Sequence, residues 1–487
     1  MTEQLAFKSG SGTGVAGGNT DAPLRGSAEA MALALRDGST TSETLIRATL
    51  DRIARDDGEV HSFLSVDASA AIEAARAADR ALSAGDDKGP LHGIPFAIKD
   101  IYDVEGQSTS CQSHIQSGHM ADRDSAVVER LRAAGAILIG KLDTFEFALG
   151  GPSPDLPFPI ARNPWKPGHE SGGSSSGSAA AIGAGFVPLA PGTCTTGSIR
   201  GPAAWCGAVG LKPTFGRVSR RGVFPLAPSL DHCGPLARSV HDAAVALQVM
   251  AGHDPADPGS LDQPVPDYLT DLEKGVAGHT IGVPRDFFGS QATLDSDTRA
   301  AISRAEGLLR DAGATIVGVE LPEYRLFAAA ARIIMAAEAF AIHRENLRSR
   351  LHEYGNIAAR RFAIGAGIGA ADYIDARQLG ARLRATVDNL FGSCDMMLTA
   401  ISLSTAPPVA STSRPGVWPL QASPWNLTGH PAIAVPMGLA ENGLPVSVQL
   451  VGPRWSEAAI LRAARTLERT SGWAEVFLPF EPKDTRS

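Results

Sequence analysis

The 487-residue chain is 44% hydrophobic and carries 44 basic against 52 acidic side chains, a net charge of −8. The apolar share can fill a sizeable core, and the charge balance excludes a broad basic face, so no nucleic-acid partner is expected. With no run of 18 apolar residues, no membrane is expected as partner either. The five cysteines (111, 194, 206, 233 and 394) are widely spaced with no CxxC pair, which leaves no zinc site and no disulfide framework, and no cofactor is expected.

Residues 1–24 are rich in Gly, Ser and Thr and read as a flexible arm ahead of a single domain at 25–487. Gly12-Thr-Gly14-Val-Ala-Gly17 matches the dinucleotide pattern GxGxxG, but no strand precedes it and no helix follows, so no nucleotide role is read there. The chain opens without a basic stretch and apolar core, and a cytoplasmic protein is expected. Residues 27–35 and 41–54 read as amphipathic helices, the second placing Leu45, Ile46, Thr49, Leu50 and Ile53 on one face. An alanine-rich helix covers 67–84. The apolar stretch 91–99 is a strand ending in Lys99. Only eight of the 44 basic residues are lysines, so a lysine in an apolar setting stands out. Burial would lower its pKa and make it a general base, although a strand-end lysine facing water, or one paired with Asp100, fits the local sequence too.

Ser125 is a candidate N-cap for a helix to 134, closed by Gly135 and followed by a strand at 136–139. The same helix–Gly–strand rhythm at 281–283, 296–312 and 315–321 signals an α/β sheet. A candidate catalytic core, about 90–235, turns on residues 172–202. Two Gly/Ser-rich turns, 172–177 and 192–198, flank a short helix at 178–183 and a strand at 186–190. The second turn ends just before Pro202, a residue favoured in the first turn of a helix. Ser198 would then sit among backbone N–H groups without helical partners, the donors an oxyanion needs, and its hydroxyl would require a base from elsewhere. Ser175, within Gly173-Ser-Ser-Ser-Gly177, fits the GxSxG elbow, but the strand that motif needs before it is missing. Residues 324–391 read as mostly helical, a cover or pocket wall. A strand at 446–451 and a helix at 456–469 close the chain, which shows no internal repeat.

These segments resemble the amidase signature family. The resemblance is carried by Gly93-Ile-Pro95 to Lys99-Asp100, Arg162-Asn-Pro-Trp165, Gly172-Gly-Ser-Ser175, Gly192-Thr to Gly197-Ser-Ile-Arg200, Gly210-Leu-Lys-Pro-Thr214, Ser229-Leu-Asp-His232, Asn426-Leu-Thr-Gly-His-Pro-Ala432 and Gln449-Leu-Val-Gly452. It implies one large α/β domain with a twisted mixed, mostly parallel sheet covered by helices on both faces. It further implies a triad: Ser198 as acyl-accepting nucleophile, Lys99 as base, and Ser174 as the bridging serine behind a cis peptide from Gly173. Backbone N–H groups of Thr195, Thr196, Gly197 and Ser198 would form the oxyanion hole, with Gly173, Ser175, Cys194 and Arg200 in support. Cys194 stands where the family has Asp, and Thr196 where it has Gly, so loop geometry and substrate range are expected to differ. Phe145, Leu149, Trp418 and Trp425 are candidate pocket residues, and His232 and His430 are read as structural. The expected activity is a stand-alone amidohydrolase, monomeric or homodimeric, cleaving amide, anilide or carbamate bonds of a small-molecule substrate as an amidase, arylamidase or urethanase. The alternative is the A subunit of a tRNA-dependent amidotransferase, releasing ammonia from glutamine.

Overall fold

The computed structural model describes residues 27–285, 287, 294–409, 421–473, 476 and 479–480. The expected arm at 1–24 and Trp418 lie outside them. Twelve strands organise the described residues: β1 (Phe63–Val66), β2 (Pro95–Lys99), β3 (Ile137–Leu142), β4 (Gly192–Cys194), β5 (Val209–Lys212), β6 (His232–Gly234), β7 (Leu236–Ala237), β8 (Thr280–Val283), β9 (Thr315–Gly318), β10 (Met396–Ala400), β11 (Ala432–Leu439) and β12 (Pro445–Val451). A three-stranded sheet runs β1-β3-β2 and a seven-stranded sheet β7-β5-β11-β12-β10-β8-β9, while β4 pairs with β6 apart from both.

The predicted strand at 186–190 is instead a single bridging residue. Leu189 pairs with Phe96 of β2 on one side and with Ala237 of β7 on the other, joining the two sheets. Pro188 and Pro191 flank it and have no N–H to give a ladder, which limits the strand to that one bridge. The sheet is mixed, as expected. Its parallel pairs are β2·β3, β10·β8 and β8·β9. The remaining pairs are antiparallel, because β11 and β12 form a hairpin in the middle of the sheet and β5 pairs antiparallel with β11. The balance therefore falls further towards antiparallel than the family resemblance implied.

Around the sheet, helices form where the apolar period and the caps agree. Ser42–Val60 buries Leu45, Ile46, Thr49 and Ile53, and its N-cap Thr41 accepts from the Thr44 N–H. Ser176–Gly183 is buried at every position; a Cβ on Gly177 would sit 2.4 Å from both Asp143 N and Ser62 O, so only glycine lets this helix in so close. The helical cover comprises Tyr324–Ser349, Asn356–Ala363 and Ala370–Leu390. Tyr324–Ser349 is long and apolar enough to cross a membrane by length and composition. Its Phe327, Ala331 and Ile334 are buried with Leu383, Val387 and Trp425, so one face of this helix packs on the core.

Candidate active site

Lys99 closes β2, a strand buried along its whole length. Its Nζ donates to Ser174 Oγ at 2.8 Å and to Thr193 Oγ1 at 2.9 Å. The side chain is fully buried, and that burial pushes its pKa down to about 7. Asp100 does not pair with it. That carboxylate takes Lys141 Nζ at 2.9 Å, with Ser110 as a further donor. Lys99 is thus left with two hydroxyl partners and, near neutral pH, a substantial unprotonated fraction.

Ser174 follows a cis peptide from Gly173. Its carbonyl accepts from Thr144 Oγ1 at 2.9 Å and Phe145 N at 3.2 Å, which ties it to the segment after β3. A Cβ on Gly173 would fall 2.2 Å from the Phe145 ring, so the ring closes over a backbone that must be glycine. Ser175 fastens the two Gly/Ser turns together: its Oγ exchanges hydrogen bonds with Thr193 N and O, both at 3.3 Å, and its N–H donates to Ser198 O at 3.3 Å.

Ser198 lies two residues ahead of the helix Arg200–Cys206 and is half-buried, beside Ser174, Thr196 and Gly197 in one cleft. Gly197 has φ +141°, and a Cβ there would meet that of Ala422 at 2.7 Å, so this turn also requires glycine. Gly201 N donates to Gly197 O at 2.8 Å, which starts the helix and leaves the N–H groups of Thr196, Gly197 and Ser198 outside its ladder. Thr195 Oγ1 donates to Asp231 at 2.6 Å; the same carboxylate accepts from the N–H groups of Leu226 and Ala227, each at 2.9 Å. Burial raises the Asp231 carboxyl to about 6 despite those donors.

Arg200 is fully buried, and the carboxylate that Cys194 lacks is replaced by neutral acceptors. Its guanidinium reaches Asn426 Oδ1 at 2.6 Å, Ala422 O at 3.0 Å and Gln449 Oε1, with Cys194 Sγ at 3.7 Å. Burial, the largest single effect, raises the Cys194 thiol, but the Arg200 charge, the Ile199 N–H and the Lys212 charge together outweigh it and lower the pKa. Cys194 is wholly inside, facing Arg200 and Asn426.

The cleft holds about 560 Å³. Phe145 and Leu149 line it, together with Leu226, Ala331 and Met335. Trp425 is instead a core residue, packed 6.3 Å from the Phe287 ring. Five further residues belong to the site. Thr193 and Asp231 hold Lys99 and Thr195, while Arg332, Arg360 and Arg361 line the cleft from the helical cover. Asp231 was within reach of the sequence through Ser229-Leu-Asp-His232; the arginines stood only as part of an Arg-rich stretch.

Known proteins share the sequence pattern and the fold of this chain. The family model described as Amidase matches residues 44–461. The A subunit of glutamyl-tRNA(Gln) amidotransferase from Anaeromyxobacter sp. (strain K) is 41% identical over 461 residues, covering 89% of this chain and 93% of that one. Its namesake from Thermotoga maritima, a solved structure, gives a TM-score of 0.81 at 32% identity, over 94% of this chain and 98% of that one. Another solved structure, described as a vestigial protein complex revealing the origins of an s-triazine catabolic enzyme, gives 0.86 at 34% identity, over 91% and 98%.

Two expectations are overturned by these names. A stand-alone amidohydrolase does not fit relatives that are named as A subunits of an amidotransferase. A partner set limited to a small molecule, with no nucleic acid and a monomer or homodimer, conflicts with the same names, which point to a tRNA and to a multi-subunit enzyme. The physical reason is that net charge averages the whole surface and is silent on a face that another protein covers, and an acyl-transfer triad is the same in a free enzyme and within a complex. Matched by the Amidase model along most of its length, and sharing its fold with the relatives above, the chain belongs to the amidase signature family of enzymes that cleave amide C–N bonds.

Proposed function

We propose that this chain is the A subunit of a glutamyl-tRNA(Gln) amidotransferase-type complex, releasing ammonia from the carboxamide of glutamine. The observation that carries the chemistry is the buried Lys99–Ser174 hydrogen bond, with a lysine pKa of about 7, set beside Ser198 in an open cleft. Membership of such a complex rests on relatives about 40% identical over nine-tenths of the chain.

Neutral Lys99 draws the Ser174 proton, Ser174 draws that of Ser198, and Ser198 Oγ attacks the carboxamide carbon. The negative oxygen that forms is met by the N–H groups of Thr195, Thr196, Gly197 and Ser198, donors fixed before the reaction and therefore effective against developing charge. As the tetrahedral intermediate collapses, the C–N bond breaks and the proton returns through Ser174 to the leaving nitrogen, giving ammonia and an acyl-Ser198. Water, deprotonated along the same route, then cleaves the ester to the carboxylic acid. Lys99 and Ser174 end as they began. The ammonia is available to partner subunits that hold glutamyl-tRNA.

The test is to isolate the tagged chain from its native cells, identify what accompanies it, and assay ammonia release from glutamine with and without Ser198→Ala. Copurifying subunits and a glutamine-dependent release lost in the folded variant are expected. A folded wild-type complex that releases ammonia from other carboxamides but not from glutamine refutes the reading.

A further inference from the structure

Two walls of the Ser198 cleft meet at one buried carboxylate. The first wall is the segment after β3: Phe145, Ala148, Leu149 and Gly150 line the cleft, and the Ser174 carbonyl is held there by Thr144 Oγ1 and Phe145 N. The second is the cover helix Asn356–Ala363, whose last turns also line the cleft. Glu146 lies between them, 1% exposed. One of its oxygens accepts from Ser113 Oγ at 2.6 Å, and the other accepts from the N–H of Gly355 at 2.9 Å, 209 residues further along the chain. Gly355 is the N-cap of the cover helix and has no side chain with which to cap it. Asp155 accepts from the next N–H, that of Asn356, at 2.7 Å. Carboxylates from the first wall thus cap a helix without a cap of its own, and negative charge at a helix N-terminus is favourable. A Cβ on Gly355 would sit 2.9 Å from the Glu146 oxygen, so glycine is what lets the carboxylate in.

The residues next to Glu146 show the same grip. Phe147 and Ala148 have φ of +46° and +63°, a region that residues with a Cβ seldom adopt and that persists where the surroundings over-determine it. What surrounds Phe147 is again the cover: its ring lies 4.5 Å from that of His343, 5.9 Å from Tyr354 and 6.2 Å from Phe362. Tyr354 precedes Gly355, and its hydroxyl lies 2.9 Å from His343 Nδ1. Resting on the reading that Ser198 cleaves a carboxamide in this cleft, we infer that Glu146 is a positioning residue. By capping the cover helix through Gly355 it fixes the cover against the segment that seats Ser174, and so sets the width of the cleft for the acyl group. Acceptance of the Gly355 N–H is what the role requires, not negative charge as such. Burial, ahead of the opposing Ser113 and Gly355 donors, pushes the Glu146 carboxyl up to about 7, so a neutral side chain of the same shape suits the place.

Glu146→Ala and Glu146→Gln, in the protein with whatever subunits accompany it, test this. For ammonia release from glutamine, Glu146→Ala should raise KM about tenfold and leave kcat within about threefold, because Thr144 and Phe145 still hold Ser174. Glu146→Gln, whose amide oxygen can accept from Gly355 while its NH2 meets Ser113, should stay within about twofold of wild type in both. Phosphonylation of Ser198 by a small fluorophosphonate, which does not fill the cleft, should proceed at the same rate in all three proteins. Hydrogen exchange read by mass spectrometry should be about tenfold faster over residues 356–363 in Glu146→Ala and unchanged in Glu146→Gln. An unchanged KM in folded Glu146→Ala, or a glutamine variant as impaired as the alanine one, overturns the inference. So does an equal loss of kcat and of labelling, which marks general damage to the site. Should Glu146→Ala not fold, Glu146→Asp, one methylene shorter and unable to reach both partners, carries the same expectation. Wild-type protein that does not act on glutamine refutes the proposed donor, whereas the exchange rates still decide the role of Glu146.

Discussion

Replacing Lys99 by methionine should abolish turnover and stabilise the fold at neutral pH. The unfolded chain holds the Lys99 proton with an ordinary pKa of 10.5, and burial lowers it to about 7 in the folded protein. The unfolded state therefore binds more protons between those values, so the lysine opposes folding fully below pH 7 and progressively less as pH rises to 10.5. At about 1.4 kcal/mol per pH unit, the opposition is about 4 kcal/mol at pH 7 and about 2 kcal/mol at pH 9. Against this, Lys99→Met forfeits the hydrogen bonds to Ser174 and Thr193, together worth about 2 kcal/mol. The variant should be about 2 kcal/mol more stable than wild type at pH 7 and nearly level with it at pH 9. Urea unfolding of both proteins across pH 6 to 9 reads the difference directly. A gap that stays constant over that range, or a variant less stable at pH 7, would refute the claim of a buried, proton-poor lysine.

The same lysine sets the pH profile of activity. As the base acts only when unprotonated, kcat/KM should be half-maximal near pH 7 and level off above it; a rate falling steadily through that range in folded enzyme contradicts the assignment. Asp231→Asn removes the charge that accepts the Thr195 hydroxyl beside the oxyanion turn, and should lower kcat about tenfold with KM little changed. With a carboxyl pKa of about 6, Asp231 also predicts an acid-side loss below pH 6 that disappears in the variant. Gly173→Ala drives a methyl group to within 2.2 Å of the Phe145 ring and should destabilise by about 1–3 kcal/mol. Phe145→Leu in the same chain should recover part of that loss, which a double-mutant cycle in urea measures.

What the sequence made legible was local. The period of Leu45, Ile46, Thr49 and Ile53 marked a buried helix face, and Thr41, Ser27 and Asp67 each accept from the N–H three residues on, as N-caps do. Ser125 occupies an N-cap position without making that bond, because cap identity does not fix side-chain direction. The state of Lys99 was not decidable from its neighbours. What buries it and bonds to it, Ser174 and Thr193, lies 75 and 94 residues away. Leu189 looked like part of a strand because apolar runs carry no record of which backbone donors its flanking prolines remove. The arginines of the cleft were hidden for a related reason: in Arg332 to Arg361, sequence shows charge but not which side chains line the cleft. The motifs located the candidate catalytic residues through resemblance, and the hydrogen bonds of Lys99 to Ser174 and Thr193 became visible only in three dimensions.

The account rests most directly on Ser198 as the acylated atom. Labelling the folded protein with a fluorophosphonate, followed by peptide mapping by mass spectrometry, addresses that atom alone. The account predicts one adduct, on Ser198, which is lost in Lys99→Met while that variant remains folded. An adduct on Ser175 or Cys194, or equal labelling without Lys99, would contradict it.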